Sequence, residues 1–142
     1  VTGDGELDEG SNWEGLMTIH HYNLTNCITI VDRNHCMIDG NTEDVMKLEP
    51  LADKFVAFGF HTIVCEGNNI VSLCKAIDEA HKTKDKPTVI VADTIKGVGI
   101  KLTSGNYKWH YGAIDEEMAK VAAKDLDEYS AERIARCGKE FE

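Results

Sequence analysis

Three short apolar runs constrain the fold of this 142-residue chain more tightly than any other feature of its sequence. Each run is rich in β-branched residues, and together they span residues 27–31, 61–65 and 88–92. Segments with apolar residues at helical spacing occupy residues 12–22, 50–58, 70–82 and 115–137. Alternation of buried strands with helices is typical of an α/β domain built on a parallel sheet, with helices on both faces. We therefore predict one domain of this class.

Several local features of these elements can also be predicted. The first helix is expected to begin after an N-cap at Ser11 or Asn12. Residues 32–47 are predicted to be irregular, and residues 93–112 to form a long loop of the kind that is usually functional or disordered. The expected inner face of the first helix comprises Trp13, Leu16, Met17 and His20. The expected apolar stripe of the last helix comprises Met118, Val121, Ala122, Leu126 and Tyr129.

Charge and cysteine content exclude several classes of protein. The formal net charge is −10 and the basic residues form no stripe, which argues against nucleic acid or an anionic membrane as a partner. The five cysteines include no Cys-x-x-Cys pair, and Cys27, Cys65 and Cys74 lie in apolar runs, so we expect reduced thiols in a cytoplasmic protein. No run approaches the ~20 apolar residues of a membrane span. Because the sequence opens on what reads as a strand end, without methionine, we expect a portion of a longer chain.

Polar residues follow the predicted strands in a pattern that indicates a binding site. Gly3 and Gly5 flank Asp4, and two glycines let the backbone approach a bulky anion closely. Asp4 and Asn34 carry the hard oxygen donors that Mg²⁺ or Ca²⁺ prefers, and a backbone carbonyl just after Asn34 could supply a third ligand. Ligands of open parallel sheets collect at the carboxyl ends of the strands, where these residues are expected. The sequence therefore predicts a metal-bound diphosphate.

This pattern resembles that of a known family. A Gly-Asp-Gly triplet followed about thirty residues later by asparagine is the diphosphate-binding signature of thiamine-diphosphate enzymes, and the surrounding sequence resembles transketolase. The resemblance extends in order over nearly the whole chain. The segments that carry it are residues 3–10, 13–14, 30–34, 39–43, 50–55, 86–88, 94–99 and 109–110.

The resemblance implies a ligand set for the metal ion. Asp4 and Asn34 would be side-chain ligands of Mg²⁺ or Ca²⁺, and the backbone carbonyl of Cys36 would be the third protein ligand. Gly3 and Gly5 would bind the cofactor, with Gly5 donating its backbone N–H to the diphosphate.

Roles for three further positions follow from the same resemblance. Glu9 would be catalytic and cofactor-binding, at an interface between subunits in a hydrogen-bonded relay with glutamates near the cofactor ring. His110 would contact the diphosphate, although the following Tyr111-Gly112-Ala113 departs from the commoner His-Gly-Ala order. The segment 96–99 is either an ordinary turn or a flap over the diphosphate.

The implied function is that of one part of an enzyme. Residues 1–142 would form a single diphosphate-binding domain portion of a cytoplasmic transketolase of the pentose phosphate pathway, lacking its upstream segment and the pyrimidine-binding domain. The enzyme would transfer a two-carbon ketol unit from a ketose phosphate to an aldose phosphate. A separate chain or segment, in a dimer or heteromer, would supply the glutamate that activates the cofactor.

Two alternatives remain open at this point. One is a catalytically incomplete protein with a binding or scaffold role, against which the intact Asp4, Asn34 and Glu9 argue. The other is a related thiamine-diphosphate synthase, similar to deoxyxylulose-phosphate synthase. The Trp109-His110 pair and the Asp-Gly-x-Thr-Glu segment at 39–43 favour transketolase.

Overall fold

A computed structural model, which describes residues 1–137, shows a four-stranded parallel sheet with helices packed against it. The strands are β1 (Thr2–Gly3), β2 (Ile28–Arg33), β3 (Cys36–Met37), β4 (Gly40–Asn41), β5 (His61–Glu66) and β6 (Thr88–Asp93). The α-helices are α1 (Gly10–His21), α2 (Thr42–Val45), α3 (Leu51–Ala57), α4 (Ile70–Lys82) and α5 (Glu116–Cys137). Short 3₁₀ helices occupy Gly5–Asp8 and Tyr107–Trp109. The main sheet has the order β1-β2-β6-β5, and β3 and β4 form a separate antiparallel ribbon.

The two faces of the sheet bury two different sets of side chains. Val89 and Val91 of β6 face α1 and α3, where they pack with Leu16 and Phe55. Ile90, between them, faces the opposite side and packs against α4. Successive residues of a strand point to opposite faces, so a continuous apolar strand requires cover on both. The predicted α/β class, with a parallel sheet and helices on both faces, is confirmed.

Each of the three long strands extends beyond its apolar run. β2 runs to Arg33, β5 to Glu66 and β6 to Asp93, one or two residues past the predicted ends. The backbone ladder continues there because Arg33 pairs with Asp93, which in turn pairs with Glu66. Polar strand ends are therefore held in place by the sheet itself.

The prediction for α1 was partly wrong. The helix begins at Gly10, and its N-cap is Glu9, which makes no side-chain capping bond, rather than Ser11 or Asn12. Leu16 is buried and Trp13 packs on the core as expected, but Met17 is 59% exposed and His20 is also exposed. A helix so short in apolar residues offers several faces of similar hydrophobicity, and packing rather than pattern selects among them.

Two further expectations need correction. Residues 32–47 are not irregular, because they contain the β3–β4 ribbon and α2, which are too short to show a period in the sequence. The stripe on α5 is less buried than predicted, since Val121 is 57% and Leu126 is 42% exposed. Within 93–112 the only helical turn is Tyr107–Trp109, capped by the Asn106 side chain, so the expected loop is otherwise confirmed.

The state of the cysteines and the character of the helices agree with what the sequence predicted. Cys27, Cys36, Cys65 and Cys74 are free thiols, and the Cys137 side chain lies outside the described part of the chain. Within residues 1–137, no helix is both long enough and apolar enough to cross a membrane.

Phe55 provides a test of this core. Its side chain is fully buried, and its ring stacks on Trp13 with 5.7 Å between ring centroids. We expect Phe55→Ala to lower the free energy of unfolding by about 3–5 kcal/mol, because it leaves a cavity between α1, α3 and the sheet. Chemical denaturation followed by circular dichroism measures this change. The neighbouring Val56 is 58% exposed, so Val56→Ala should change stability by no more than about 0.5 kcal/mol. Equal effects of the two substitutions would contradict the packing.

Candidate functional site

The sheet brings separate parts of the sequence to one edge. β1 pairs with β2 so that Gly3 lies opposite Asp32, and the Asp4 N–H then donates to the Asp32 carbonyl at 3.0 Å. On the other side of β2, the Thr94 N–H donates to the Arg33 carbonyl, also at 3.0 Å. The chain segments after β1, β2 and β6 therefore emerge side by side, at the position where parallel sheets bind ligands.

The carboxylate of Asp4 lies buried at this edge. It is 0% exposed and accepts hydrogen bonds on both oxygens. Oδ1 accepts from the Gly5 N–H at 2.8 Å, and Oδ2 accepts from the His35 N–H at 2.7 Å and from Arg33 Nη1 at 2.8 Å. A buried carboxylate is stable only when it is paired in this way.

Arg33 is the residue that the sequence analysis missed. It is 3% exposed, and besides Asp4 it bonds the Glu43 and Glu49 carboxylates through Nη2 at 2.7 and 3.0 Å. Burial acts to lower the pKa of its guanidinium, but its bonds to Asp4, Glu49 and Glu43 raise that pKa overall. The only signal in the sequence was a basic residue directly after an acidic residue at the end of an apolar strand.

Asn34 faces the same edge, and its neighbours fix the orientation of its amide. Nδ2 donates to Asp32 Oδ2 at 3.2 Å, and Oδ1 accepts from the Cys36 N–H at 3.0 Å. The other Asp32 oxygen accepts from the Thr94 hydroxyl, which holds that carboxylate in place. The amide oxygen is thereby directed away from Asp32, as a metal ligand would require.

The chain turns sharply between Asn34 and Cys36. His35 has φ of 62°, a left-handed conformation that is uncommon outside glycine, and its ring bonds Asp93 at 2.8 Å. The turn places buried Cys36 in β3, and burial raises the pKa of its thiol although the charge of Lys96 opposes the shift. The predicted role of this residue uses its backbone carbonyl.

All seven residues named from the sequence line one cavity of about 340 Å³. They are Gly3, Asp4, Gly5, Glu9, Asn34, Cys36 and His110. The cavity also includes Glu6, Met37, Ile38, Asp39 and Lys96. The 3₁₀ helix after β1, the β3–β4 ribbon and the loop after β6 thus converge on one site.

Glu9 and His110, the two predicted site residues that lie in loops, are exposed. Glu9 joins the first 3₁₀ helix to α1, and His110 follows the second 3₁₀ helix, with its ring edge-on to Tyr111. The glycine N–H groups already have partners, since Gly3 donates to Glu6 Oε2 at 2.7 Å and Gly5 donates to Asp4. The roles predicted for these four residues remain predictions.

The residues present fit a small cation and a close anionic ligand. A Cβ atom on Gly5 would lie 2.9 Å from Met37 Cβ, so the space between the first 3₁₀ helix and β3 admits only glycine. No cluster of three or more His, Cys, Asp or Glu within residues 1–137 is arranged to hold a metal ion. A cation here would therefore combine the Asp4 carboxylate with amide and carbonyl oxygens, the donor set that Mg²⁺ and Ca²⁺ accept.

A parallel sheet with a glycine-flanked aspartate after one strand and asparagine after the next defines the class of thiamine-diphosphate-binding domains. Residues 1–131 match the family model "Transketolase, thiamine diphosphate binding domain". The chain belongs to this transketolase family.

Individual relatives support the same assignment. The chain is 39% identical over 126 residues to an apulose-4-phosphate transketolase subunit of Actinobacillus succinogenes, covering 89% of this chain and 45% of that protein. It is 37% identical over 131 residues to the 6-deoxy-6-sulfo-D-fructose transketolase subunit SqwG of Clostridium sp. strain MSTE9, covering 92% and 48%. The chain therefore spans about half the length of these relatives.

A solved structure shares the fold. Transketolase from Campylobacter jejuni superposes with a TM-score of 0.80 at 30% identity, over 88% of this chain and 20% of that one.

Substitution of Gly5 tests the close contact between the first 3₁₀ helix and β3 beside Asp4. An alanine Cβ would overlap Met37 at a separation shorter than side chains tolerate, so Gly5→Ala must displace the β3–β4 ribbon. We expect a loss of about 1–3 kcal/mol in unfolding free energy, measured by chemical denaturation. Gly15→Ala in α1 is the matched control, because no atom lies within 4 Å of its added Cβ. Gly15→Ala should leave the unfolding free energy unchanged or raise it by up to about 1 kcal/mol. A comparable loss of stability in both variants would contradict the close contact between Gly5 and Met37.

Glu43 gives the Arg33 network a pH dependence. Burial acts to raise the pKa of this carboxyl, but bonds from the Leu48 N–H and from Arg33 lower it below its ordinary value of 4.5. A depressed carboxyl pKa adds stability above about pH 4.5, and this stability is lost as the pH falls through the folded-state pKa. We expect Glu43→Gln to be less stable than the parent at neutral pH, with the difference shrinking as the pH falls below 4.5. Thermal melts at several pH values measure it, and a constant difference would contradict the assignment.

Proposed function

We propose that this chain is the cofactor-anchoring component of a transketolase, in which it binds the diphosphate of thiamine diphosphate through Mg²⁺ or Ca²⁺. The observation that carries the proposal is the convergence of Asp4, Asn34 and Cys36 on one cavity at the carboxyl ends of the strands. The alternatives of a scaffold protein and of a related synthase are not favoured, because the family model and the reported relatives are those of transketolases.

The charges of the cavity explain why a cation is needed. Its lining includes the carboxylates of Asp4, Glu6, Glu9 and Asp39, against the basic side chains of Lys96 and His110. A diphosphate would be repelled by such a lining unless a divalent cation bridged the two. Asp4, the Asn34 amide oxygen and the Cys36 carbonyl would hold the cation on the protein side, and diphosphate oxygens would hold it on the other.

The remaining residues would place the cofactor. Gly3 and Gly5 would let the backbone approach the diphosphate, with the Gly5 N–H as its donor, while His110 and Lys96 would meet its charge from the loop after β6. Bound thiamine diphosphate supplies the carbon that accepts and passes on the two-carbon ketol unit. This chain binds and orients the cofactor at its diphosphate end.

Activation of the cofactor would require another polypeptide segment. The two relatives described above are named as subunits, which supports a partner chain or segment that carries the pyrimidine-binding domain and its glutamate. Glu9, exposed at the rim of the cavity, would join a hydrogen-bonded relay with glutamates across that interface. Sugar phosphates are the proposed substrates, and the free thiols of the described cysteines fit a cytoplasmic protein.

Asp4 provides the test. In the assembly that the protein forms when purified, we expect Asp4→Ala to weaken Mg²⁺-dependent thiamine diphosphate binding by at least about a hundredfold, because loss of outer-shell partners alone costs 10–100-fold. Isothermal titration calorimetry at fixed Mg²⁺ measures this affinity. Asp4→Asn serves as a second variant, since it keeps the shape of the buried side chain.

Asp8→Ala is the matched control for this experiment. Asp8 lies in the same 3₁₀ helix as the lining residues but is exposed and outside the cavity, so its loss should leave cofactor affinity unchanged. Unaltered affinity in both folded Asp4 variants would refute the proposed site.

A further inference from the structure

Arg33 connects the buried carboxylate of the site to a separate segment of the chain. Nη1 donates to Asp4 Oδ2 at 2.8 Å and to the fully buried Thr42 hydroxyl at 2.6 Å. Nη2 donates to Glu43 and Glu49. The planar guanidinium thus spans from the end of β2 to α2 and the start of α3, and its direction is fixed at both nitrogens.

The bonds around Asp4 leave little acceptor capacity. A carboxylate has about four lone-pair positions, two on each oxygen. Both positions on Oδ2 are used, one by Arg33 and one by the His35 N–H, whereas Oδ1 accepts only from Gly5. A cation approaching Asp4 therefore finds no available position on Oδ2 and can bind only through Oδ1.

We propose that Arg33 is a positioning residue that restricts Asp4 to binding a cation through a single oxygen, and so favours Mg²⁺ over Ca²⁺ at this site. The inference rests on the proposed function, because it concerns the same cation. Mg²⁺ requires six ligands in near-octahedral geometry, while Ca²⁺ accepts six to eight and binds carboxylates through one or both oxygens. Because hydrogen bonds occupy Oδ2, Asp4 cannot give the larger Ca²⁺ ion a second carboxylate ligand.

The alternative is that Arg33 only stabilises the fold. Its Nε atom is buried and has no partner among the described residues, so the side chain carries an unpaired polar atom in addition to its ion pairs. If the role of Arg33 is purely structural, its loss should lower the affinities for Mg²⁺ and Ca²⁺ by the same factor. The proposed role predicts a change in the ratio of the two affinities, which a general loss of stability does not produce.

The test compares two cations in the protein as it assembles when purified, saturated with thiamine diphosphate. Mg²⁺ and Ca²⁺ are titrated separately, and calorimetry gives the ratio of their dissociation constants without any measurement of turnover. We expect Arg33→Met to shift this ratio toward Ca²⁺ by about tenfold, the effect of one charge-assisted hydrogen bond. Arg33→Lys, which keeps a charged donor beside Asp4, should hold the ratio within about threefold of the parent.

A matched control separates the Asp4 contact from the rest of the network. Glu49→Gln weakens the bond to Nη2 but leaves the Arg33 contact with Asp4, so the parent ratio should remain. If Arg33→Met does not fold, the triple variant with Glu43→Gln and Glu49→Gln removes the acidic groups left without a counter-ion, and the same shift is expected.

The possible outcomes separate the role of Arg33 from the proposed function on which it rests. An unchanged ratio in a folded Arg33→Met or triple variant, or an equal shift in Glu49→Gln, would overturn the role of Arg33 alone. Failure of the parent protein to bind either cation together with thiamine diphosphate would overturn the proposed function itself.

Discussion

The in-register pairing of β2 with β1 and β6 is the constraint on which the site depends. Because all three strands run in the same direction, their carboxyl ends reach the same edge, and each delivers a polar residue there. The pairing continues past the apolar residues to Asp32 and Arg33, so these side chains are aligned by backbone hydrogen bonds rather than by a flexible loop. Parallel strands buried on both faces can shift register only by exposing apolar residues, and the hydrophobic core therefore holds the polar edge in place.

The charges of the cavity bear on how the proposed cofactor would be bound. A chain of net charge −10 with acidic residues around its binding site has no basic cluster with which to hold a diphosphate. In the proposed function, glycine backbone and a divalent cation would perform most of that task, with Lys96 and His110 adding to it. In the proposed function another polypeptide segment completes the site, and Glu9 lies exposed at the rim of the cavity where that segment would meet it.

The sequence predicted the sheet and its three long strands from the apolar runs, and it placed Asp4 and Asn34 at strand ends. Glu9, Cys36 and His110 were named only through the family resemblance, and Glu6, Met37 and Ile38 of the lining were not named as site residues. The sequence did not predict the β3–β4 ribbon, since strands of two residues have no detectable period. It placed Met17 and Val121 inward on helical spacing, although packing leaves both exposed. Arg33 was missed for a different reason: its partners at positions 4, 43 and 49 are distant in sequence, and only the folded chain brings them together.

That same arginine limits how this part of the sequence can change. The Glu43 and Glu49 carboxylates both lie within 3.0 Å of Arg33 Nη2, so a chain that replaced Arg33 with an apolar residue would retain two adjacent negative charges beside a third, buried one. Replacement of Arg33 would therefore cost less stability when the two glutamates are replaced with it. Positions 33, 43 and 49 are therefore expected to change together, and homologues should either keep all three residues or have replaced them as a set.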